Sequence, residues 1–420
     1  MKVIILGAGI IGTCSAWYLA RQGHEVTVID RQPAVALETS FANGGQISVS
    51  HAEPWANPAA PGILLRSLGR EDAPLLFRLH ADWQQWRWAL AFLRECSPHR
   101  TRQNLRQIVA LADYSRRCLI QLRADTGIAY DDLQRGILHF YTDEQEFTRA
   151  QRVAALMREL GCERQTLTRE QVLQTEPALH PIAQRLVGGD YTASDESGDI
   201  RMFAEQLAQQ ARKLGVQFLL QTEICRLIPD AEADNNLLAV EIINPQGQHQ
   251  QLSADAYVMA LGSYSAALLK PLGIRLEIFP AKGYSATFNV TNPQAAPEVS
   301  LTDDAHKLVF SRLGSRLRVA GTCEINDYSR ALNPVRCEAL RRRTQELFPD
   351  ACDYEHPNFW AGLRPLTPSN RPYIGTSRIP NLYLNTGHGS LGWTMAAGSA
   401  HALADIMAGR RPEVDFQFSI

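Results

Sequence analysis

VIILGAGIIGTCSAWYLARQGHEVTVID, from Val3 to Asp30, decides the fold. An apolar run suited to a strand opens directly into Gly7-Ala8-Gly9-Ile10-Ile11-Gly12. A helix-compatible run follows, Gly23 can stop it, and a second apolar run ends on an acidic residue. This is G-x-G-x-x-G with a strand before it, a helix after it and a carboxylate about 20 residues on, the pattern of a dinucleotide-binding βαβ unit. Gly7 permits the sharp turn, Gly9 lets the backbone approach a pyrophosphate, and Gly12 lets the helix pack on the strand. The first helical turn, with Ile11 in it, offers free N–H groups and partial positive charge to phosphates. Asp30 is expected to accept hydrogen bonds from an adenosine ribose; an ordinary strand-end carboxylate is the competing reading. Arg31 hints at a 2′-phosphate, but the carboxylate beside it would repel one.

Composition sets the frame. A chain of 420 residues exceeds one ordinary core, so two interleaved domains are expected. Its 45% hydrophobic and 20% charged content fits a globular protein, and a net charge of −2 gives no reason to propose nucleic acid. No apolar run approaches the roughly 20 residues that span a bilayer. Met1-Lys2 leads straight into the binding strand without a signal peptide, so a cytoplasmic location is expected. The eight cysteines are scattered, with no C-x-x-C, and read as reduced. The eleven histidines show no H-E-x-x-H, and no metal is expected.

Three further stretches stand out. Glu38-Thr39-Ser40-Phe41-Ala42-Asn43-Gly44-Gly45-Gln46 follows the acidic strand end, and its small residues would let the backbone run beside a phosphate or a flat ring. From Leu75 to Cys96, Trp83, Trp86, Trp88 and Phe92 sit at helix-compatible spacing among arginines; this is either core or a helix resting at a membrane interface. Residues 104–126 and 144–175 read as helices, the latter interrupted by Gly161. Asp199 is a good N-cap for a helix ending at Gly215. Residues 255–261 read as a buried strand ending at Gly262, and 276–332 as an antiparallel sheet closed by a helix over 334–347. The third stretch is C-terminal. FWAGLRPLTP, from Phe359, precedes a strand at 381–385 and Thr386-Gly387-His388-Gly389-Ser390-Leu391-Gly392-Trp393-Thr394, then an Ala-rich helix. A second strand, glycine turn and helix is best used facing the other end of the cofactor, where its N–H groups stabilise negative charge on a reduced ring.

Together these segments resemble the FAD-dependent amine and amino-acid oxidoreductases, the superfamily of D-amino acid oxidase, glycine oxidase and sarcosine oxidase. SDESGD, PAKGYSAT, FWAGLRPLTP and GHGSLGWT are similar to the bacterial D-amino acid dehydrogenases of the small-subunit type, and the likeness runs along essentially the whole chain. The resemblance implies an α/β plus α+β architecture: a Rossmann-like FAD-binding domain (1–50, 190–265, 356–420) and an interleaved antiparallel substrate domain (51–189, 266–355). It implies non-covalent FAD and oxidation of D-amino acids to 2-oxo acids and ammonia by hydride transfer from the α-carbon to flavin N5. Electrons would pass to a quinone or respiratory acceptor at the cytoplasmic face of the inner membrane, with peripheral membrane contact.

Residue roles follow by matched position. Gly7, Gly9, Gly12, Asp30 and Arg31 would hold the ADP part of FAD. Thr39, Ser40, Gly45 and Gln46 would lie near pyrophosphate and ring, and Gly262 near the pyrophosphate or ribityl chain. Gly387, His388, Leu391, Gly392, Trp393 and Thr394 would flank the isoalloxazine. Arg364, in G-x-R-P, would grip the substrate carboxylate, a surface salt bridge being the competing role. The substrate amine must be neutral, so no base is strictly needed; His388 is a candidate base or a ring-positioning residue. Tyr284 is a candidate cavity-lining residue or a core tyrosine, with His51 and Tyr191 weaker candidates. Ser369-Asn370-Arg371 departs from the acidic residue usual in relatives, which bears on substrate range. An oxygen-using glycine, sarcosine or D-hydroxyproline-type oxidase, a flavoprotein subunit of a larger dehydrogenase, and a flavin-bearing sensor without turnover remain as alternatives.

Overall fold

A computed structural model describes residues 1–67, 71, 75–230 and 236–418. The Val3–Asp30 stretch folds as its pattern dictates: strand Lys2–Leu6, helix Ile10–Arg21, strand Glu25–Ile29. The two strands pair in parallel at the centre of a six-stranded sheet. Outward from Lys2–Leu6 on the other side run Ala256–Met259, Leu382–Thr386 and Tyr373–Thr376; Gln217–Leu219 closes the far edge. All neighbours are parallel except the Tyr373–Thr376 pair. Side chains alternate across this sheet, so it needs two covers. Val3 and Ile5 pack under helices Ile10–Arg21, Ile200–Lys213 and Gly392–Met407, while Ile4 and Leu6 pack beneath the three-stranded sheet of Glu223–Pro229, Leu237–Ile243 and His249–Leu252.

The second layer is a nine-stranded, mostly antiparallel sheet. Its order is Asn358–Leu366, Phe279–Asn289, Arg316–Ile325, Leu308–Leu313, Ser300–Asp303, Ile137–Tyr141, Gly188–Thr192 and Gln165–Leu167, with Leu75–Phe77 beside Arg316–Ile325. Helix Pro334–Leu347 covers one face, burying Leu340 and Leu347 with Phe288 and Tyr284. The other face looks towards the first layer across a large cavity. Trp360, Gly362 and Arg364, alternate residues of one strand, all line it.

Several elements differ from the sequence reading. Leu75–Phe77 is a strand paired with Cys323–Ile325; the helix begins only at Trp83, where the Asp82 side chain caps it by accepting from Gln84 N. The helix expected from 104 starts earlier, at Pro98, with proline in the first turn, and ends on left-handed Gly127. Within 144–175, Gln165–Leu167 is an edge strand on Gly188–Thr192, and a Thr168–Gln171 capping box restarts the helix. The tryptophan run divides: Trp88 and Phe92 stack in the core, 5.3 Å between centroids, while Trp83 and Trp86 are exposed.

Segments also cross the expected domain boundaries. Asn358–Leu366 hydrogen-bonds along Phe279–Asn289, and Gly188–Thr192 along Ile137–Tyr141, so both belong to the large sheet. Helix Pro98–Thr126 lies against Gly392–Met407 in the first layer; a Cβ on Gly398 would sit 2.6 Å from Ser115 Cα. No helix among the described residues is long and apolar enough to cross a membrane, and no metal-binding cluster is found among them.

Candidate active site

The cavity between the layers holds about 1520 Å³, beyond the roughly 300–1,000 Å³ of an ordinary small-molecule site. Both glycine turns, Asp30, Gly45, Gly262 and Arg364 line it. At the first turn the protein's own packing requires two of the three glycines. Gly7 has φ +109°, and a Cβ there would lie 2.7 Å from Ala260 O; a Cβ on Gly12 would lie 1.9 Å from Gly7 O. Gly9 differs: its Cβ would meet only Ser40 Oγ, at 3.6 Å. Bare backbone there faces the cavity, as close approach of a pyrophosphate demands. The Asp30 carboxylate ties the strand end to the turn, accepting from Ala8 N at 2.7 Å and Gln32 N at 2.8 Å. Burial raises its pKa against those two bonds, which lower it. Arg31 pairs with Glu38 at 2.8 Å and lies 4.4 Å over the Tyr264 ring.

The loop after Asp30 stitches the layers together. Thr39 Oγ1 donates to Leu363 O at 2.8 Å, and Gln46 Nε2 donates to Leu301 O at 3.1 Å. Ser40 Oγ accepts from Ile10 N at 3.1 Å, capping the first helix from a distance. At the second turn Gly387 has φ +83°, and a Cβ there would press within 2.8 Å of Thr367. The helix beginning at Gly392 has no side-chain cap, so its first N–H groups lack a side-chain acceptor. Thr394 Oγ1 accepts from Ser48 N at 3.1 Å. His388 is buried with Nε2 unpartnered, and burial pushes its pKa down to about 3. It is neutral at physiological pH and a weak base.

Arg364 is the distinctive group. Its guanidinium faces the cavity and donates to Thr322 O at 2.9 Å. No carboxylate among the described residues lies within ion-pair distance, and burial lowers its pKa. The strands around it are shaped for it. Lys282 pairs with Glu324 but Tyr284 with Gly321, so Thr322 and Cys323 together oppose Gly283 in a β-bulge. Thr322 takes a left-handed φ of +53°, rare for a β-branched residue. A Cβ on Gly283 would lie 2.1 Å from Arg364 Nη1, so glycine makes the room.

Tyr284 lines the cavity, although its hydroxyl donates to Glu324 Oε2 at 2.7 Å and its ring is part of the large sheet's core. The Trp393 ring packs edge-on against Phe203 at 4.7 Å in the helical core, and the residue also borders the cavity. Tyr191 OH donates to Arg135 O at 3.0 Å, away from the cavity lining. His51 does line the cavity; it lies 5.2 Å from the His139 ring, whose Nδ1 is 2.9 Å from Asp304. Sequence reading missed Gly283 and Thr322 as supports of Arg364; the glycine in the strand was the one available signal.

A family model described as FAD dependent oxidoreductase matches residues 2–406. The chain belongs to the FAD-dependent oxidoreductase family. It is therefore an enzyme with FAD as its cofactor, and the bare Gly9 backbone, Asp30 and the uncapped second helix are residues that fit that dinucleotide. Among relatives, a D-amino acid dehydrogenase from Dechloromonas aromatica is 56% identical over 418 residues, covering 100% of this chain and 99% of the relative. Another, from Paramagnetospirillum magneticum, is 49% identical over 411 residues, 98% of this chain and 96% of the relative. The glycine oxidase structure from Bacillus cereus shares the fold with TM-score 0.73 at 22% identity, covering 97% of this chain and 95% of that one. The FAD-bound L-α-glycerophosphate oxidase of Mycoplasma pneumoniae matches with TM-score 0.71 at 16% identity, covering 100% and 98%.

Proposed function

We propose that this enzyme oxidises D-amino acids to 2-oxo acids and ammonia and hands the electrons to a quinone or another respiratory acceptor, in peripheral contact with a membrane. The observation that carries the reading is Arg364: a half-buried guanidinium in the wall of the cavity that both glycine turns share, with no acidic partner among the described residues. A partly enclosed cation without a counter-ion is poorly compensated, and a substrate carboxylate received in bidentate fashion supplies that counter-charge. The two relatives named D-amino acid dehydrogenase support the substrate class.

FAD, when bound, supplies the two-electron acceptor. The chain supplies position and field. Gly7, Gly9, Gly12, Asp30 and Arg31 would hold the ADP part; Thr39, Ser40, Gly45, Gln46 and Gly262 would frame the middle; Gly387, His388, Leu391, Gly392, Trp393 and Thr394 would border the ring. Cys323 lines the cavity, but burial pushes its thiol up to about 11, which keeps it protonated and fits non-covalent binding. Arg364 fixes the carboxylate end of the substrate, and Thr322 O fixes Arg364. His388 stays neutral and positions rather than accepts a proton. The substrate amine must shed its own proton, so the rate rises with pH until that amine is neutral.

Anaerobic bleaching of the bound flavin by a panel of D- and L-amino acids tests the reading. Bleaching by D-amino acids that disappears in Arg364→Ala at unchanged flavin content supports it. No bleaching by any D-amino acid overturns it. Peroxide yield set against quinone reduction decides between the oxygen-using alternative and the one proposed.

A further inference from the structure

Helix Trp83–Glu95 has two apolar faces. Gln85, Trp88 and Phe92 turn inward, whereas Trp83, Trp86, Leu90 and Leu93, at spacings of three and four, are 73%, 44%, 53% and 48% exposed. Leu65 and Ile63 of the neighbouring Ala60–Ser67 helix are exposed as well, at 72% and 40%. The two helices share one apolar cluster through Ala60, Trp88 and Phe92. A contiguous patch of this kind on a soluble surface marks something that covers it. Arg94, Arg102 and Arg106 stand exposed on and just beyond this helix, with no acidic partner among the described residues. An in-plane helix with tryptophans on one side and arginines beside it suits the headgroup boundary of an anionic bilayer.

The patch is also a doorway. Ile63, Leu65 and Leu93 are exposed outside and line the catalytic cavity inside, and Leu64, Trp88 and Ala89 continue the apolar wall inward. Elsewhere the same cavity is bordered by Glu53, Glu146, Arg149 and Lys307. A zwitterionic amino acid suits the charged border and has no use for the apolar one. We propose that the Trp83–Glu95 helix lies in the surface of an anionic bilayer and that the Ile63–Leu65–Leu93 doorway admits the tail of a membrane-borne quinone. This rests on the amino-acid oxidation proposed above. The redox balance closes: the substrate ammonium acid gives up two electrons and two protons on becoming the iminium acid, and the quinone takes two electrons and two protons and leaves as the quinol.

The test uses the full-length, FAD-loaded protein and vesicles of phosphatidylethanolamine with phosphatidylglycerol. Wild type should pellet with the vesicles, and brominated lipid should quench its tryptophan fluorescence. Trp83→Gln/Leu90→Gln changes only exposed positions outside the cavity; its partitioning should fall about tenfold or more, while flavin bleaching by D-amino acids is unchanged. In Ala89→Trp, which narrows the doorway, the ratio of long-tailed quinone reduction to soluble dye reduction should fall about tenfold. Wild type that stays in the supernatant overturns the surface, as does a double variant that pellets like wild type, or a wild-type dimer that the double variant dissolves. An unchanged quinone-to-dye ratio in Ala89→Trp overturns the doorway. Protein that pellets through this stripe yet is bleached by no D-amino acid breaks the proposed function and leaves the surface standing.

Discussion

Two arginines on the cavity wall are treated in opposite ways. Arg164 is saturated: it pairs with Asp190 and Glu53 at 3.1 Å each and donates to Tyr141 OH at 3.1 Å. Although burial lowers its pKa, those neighbours hold it well above the usual arginine range. Arg364 has one backbone carbonyl and, among the described residues, no acid. Arg164 completes its own electrostatics, so it belongs to the fold. Arg364 leaves an electrostatic debt that a ligand must settle, so it belongs to the chemistry. The same side chain type, buried at Arg164 and half-buried at Arg364, is told apart chiefly by its counter-charge.

Exchanging the consequences is the strongest way to break this distinction. Arg164→Ala strands Asp190, which is fully buried, and should destabilise the protein by about 3–5 kcal/mol, read as a lower urea midpoint. Arg364→Ala removes an uncompensated charge and should leave the urea midpoint of the substrate-free protein unchanged or higher. Its kcat/KM should fall about a hundredfold or more, chiefly through KM. A wild-type KM in Arg364→Ala, or a stable Arg164→Ala, would erase the contrast.

Gly283→Ala gives the next largest effect. The added carbon would sit 2.1 Å from Arg364 Nη1, so the guanidinium must move or the bulge must open. A loss of about tenfold or more in kcat/KM with unchanged flavin content is expected, since small misplacement of a positioning group is costly. Full activity would mean that Arg364 has freedom this geometry denies it.

This pair of arginines also shows what the sequence could and could not say. The Gly7–Asp30 unit was legible because its requirements are local: Gly12 meets Gly7, and Asp30 meets Ala8. Arg364 was legible only through a matched motif. What surrounds it was not, because Gly283 and Thr322 act from neighbouring strands whose register no local pattern fixes. The tryptophan helix shows the same limit. Spacing defines faces, and Trp83 and Trp88 fall on different ones, but only packing decides which is covered. The three-residue strand Gln165–Leu167 was hidden for a related reason, being too short to display a period.

A smaller effect concerns the neutral group on the same side of the cavity. His388 has its pKa lowered from an ordinary value near 6.5 to about 3 by burial. The unfolded chain therefore binds a proton that the folded one refuses, and stability drops as pH falls between about 6.5 and about 3. The slope from one such histidine is about 1.4 kcal/mol per pH unit. His51 adds a similar slope. His388→Asn should flatten the acid side of the stability curve, measured as urea midpoints at neutral pH and near pH 5, by about 2 kcal/mol at the lower pH. An identical slope would show that His388 is not held neutral by its surroundings.

The smallest effect tests the strain behind Arg364. Thr322 holds a left-handed conformation that costs a residue with a Cβ about 1–2 kcal/mol. Glycine adopts it freely but loses about 0.5–1 kcal/mol in chain entropy. Thr322→Gly should therefore change stability by about 0–1.5 kcal/mol, towards the stable side. Its carbonyl still faces Arg364, but the backbone that aims it becomes free to turn away. A two- to fivefold rise in KM with unchanged kcat is the expected reading, a loss of roughly 0.4–1 kcal/mol. That split separates two uses of strain. If KM stays put while stability rises, the left-handed turn only closes the bulge. If KM rises while stability barely moves, the turn is retained because it holds the Arg364 guanidinium still.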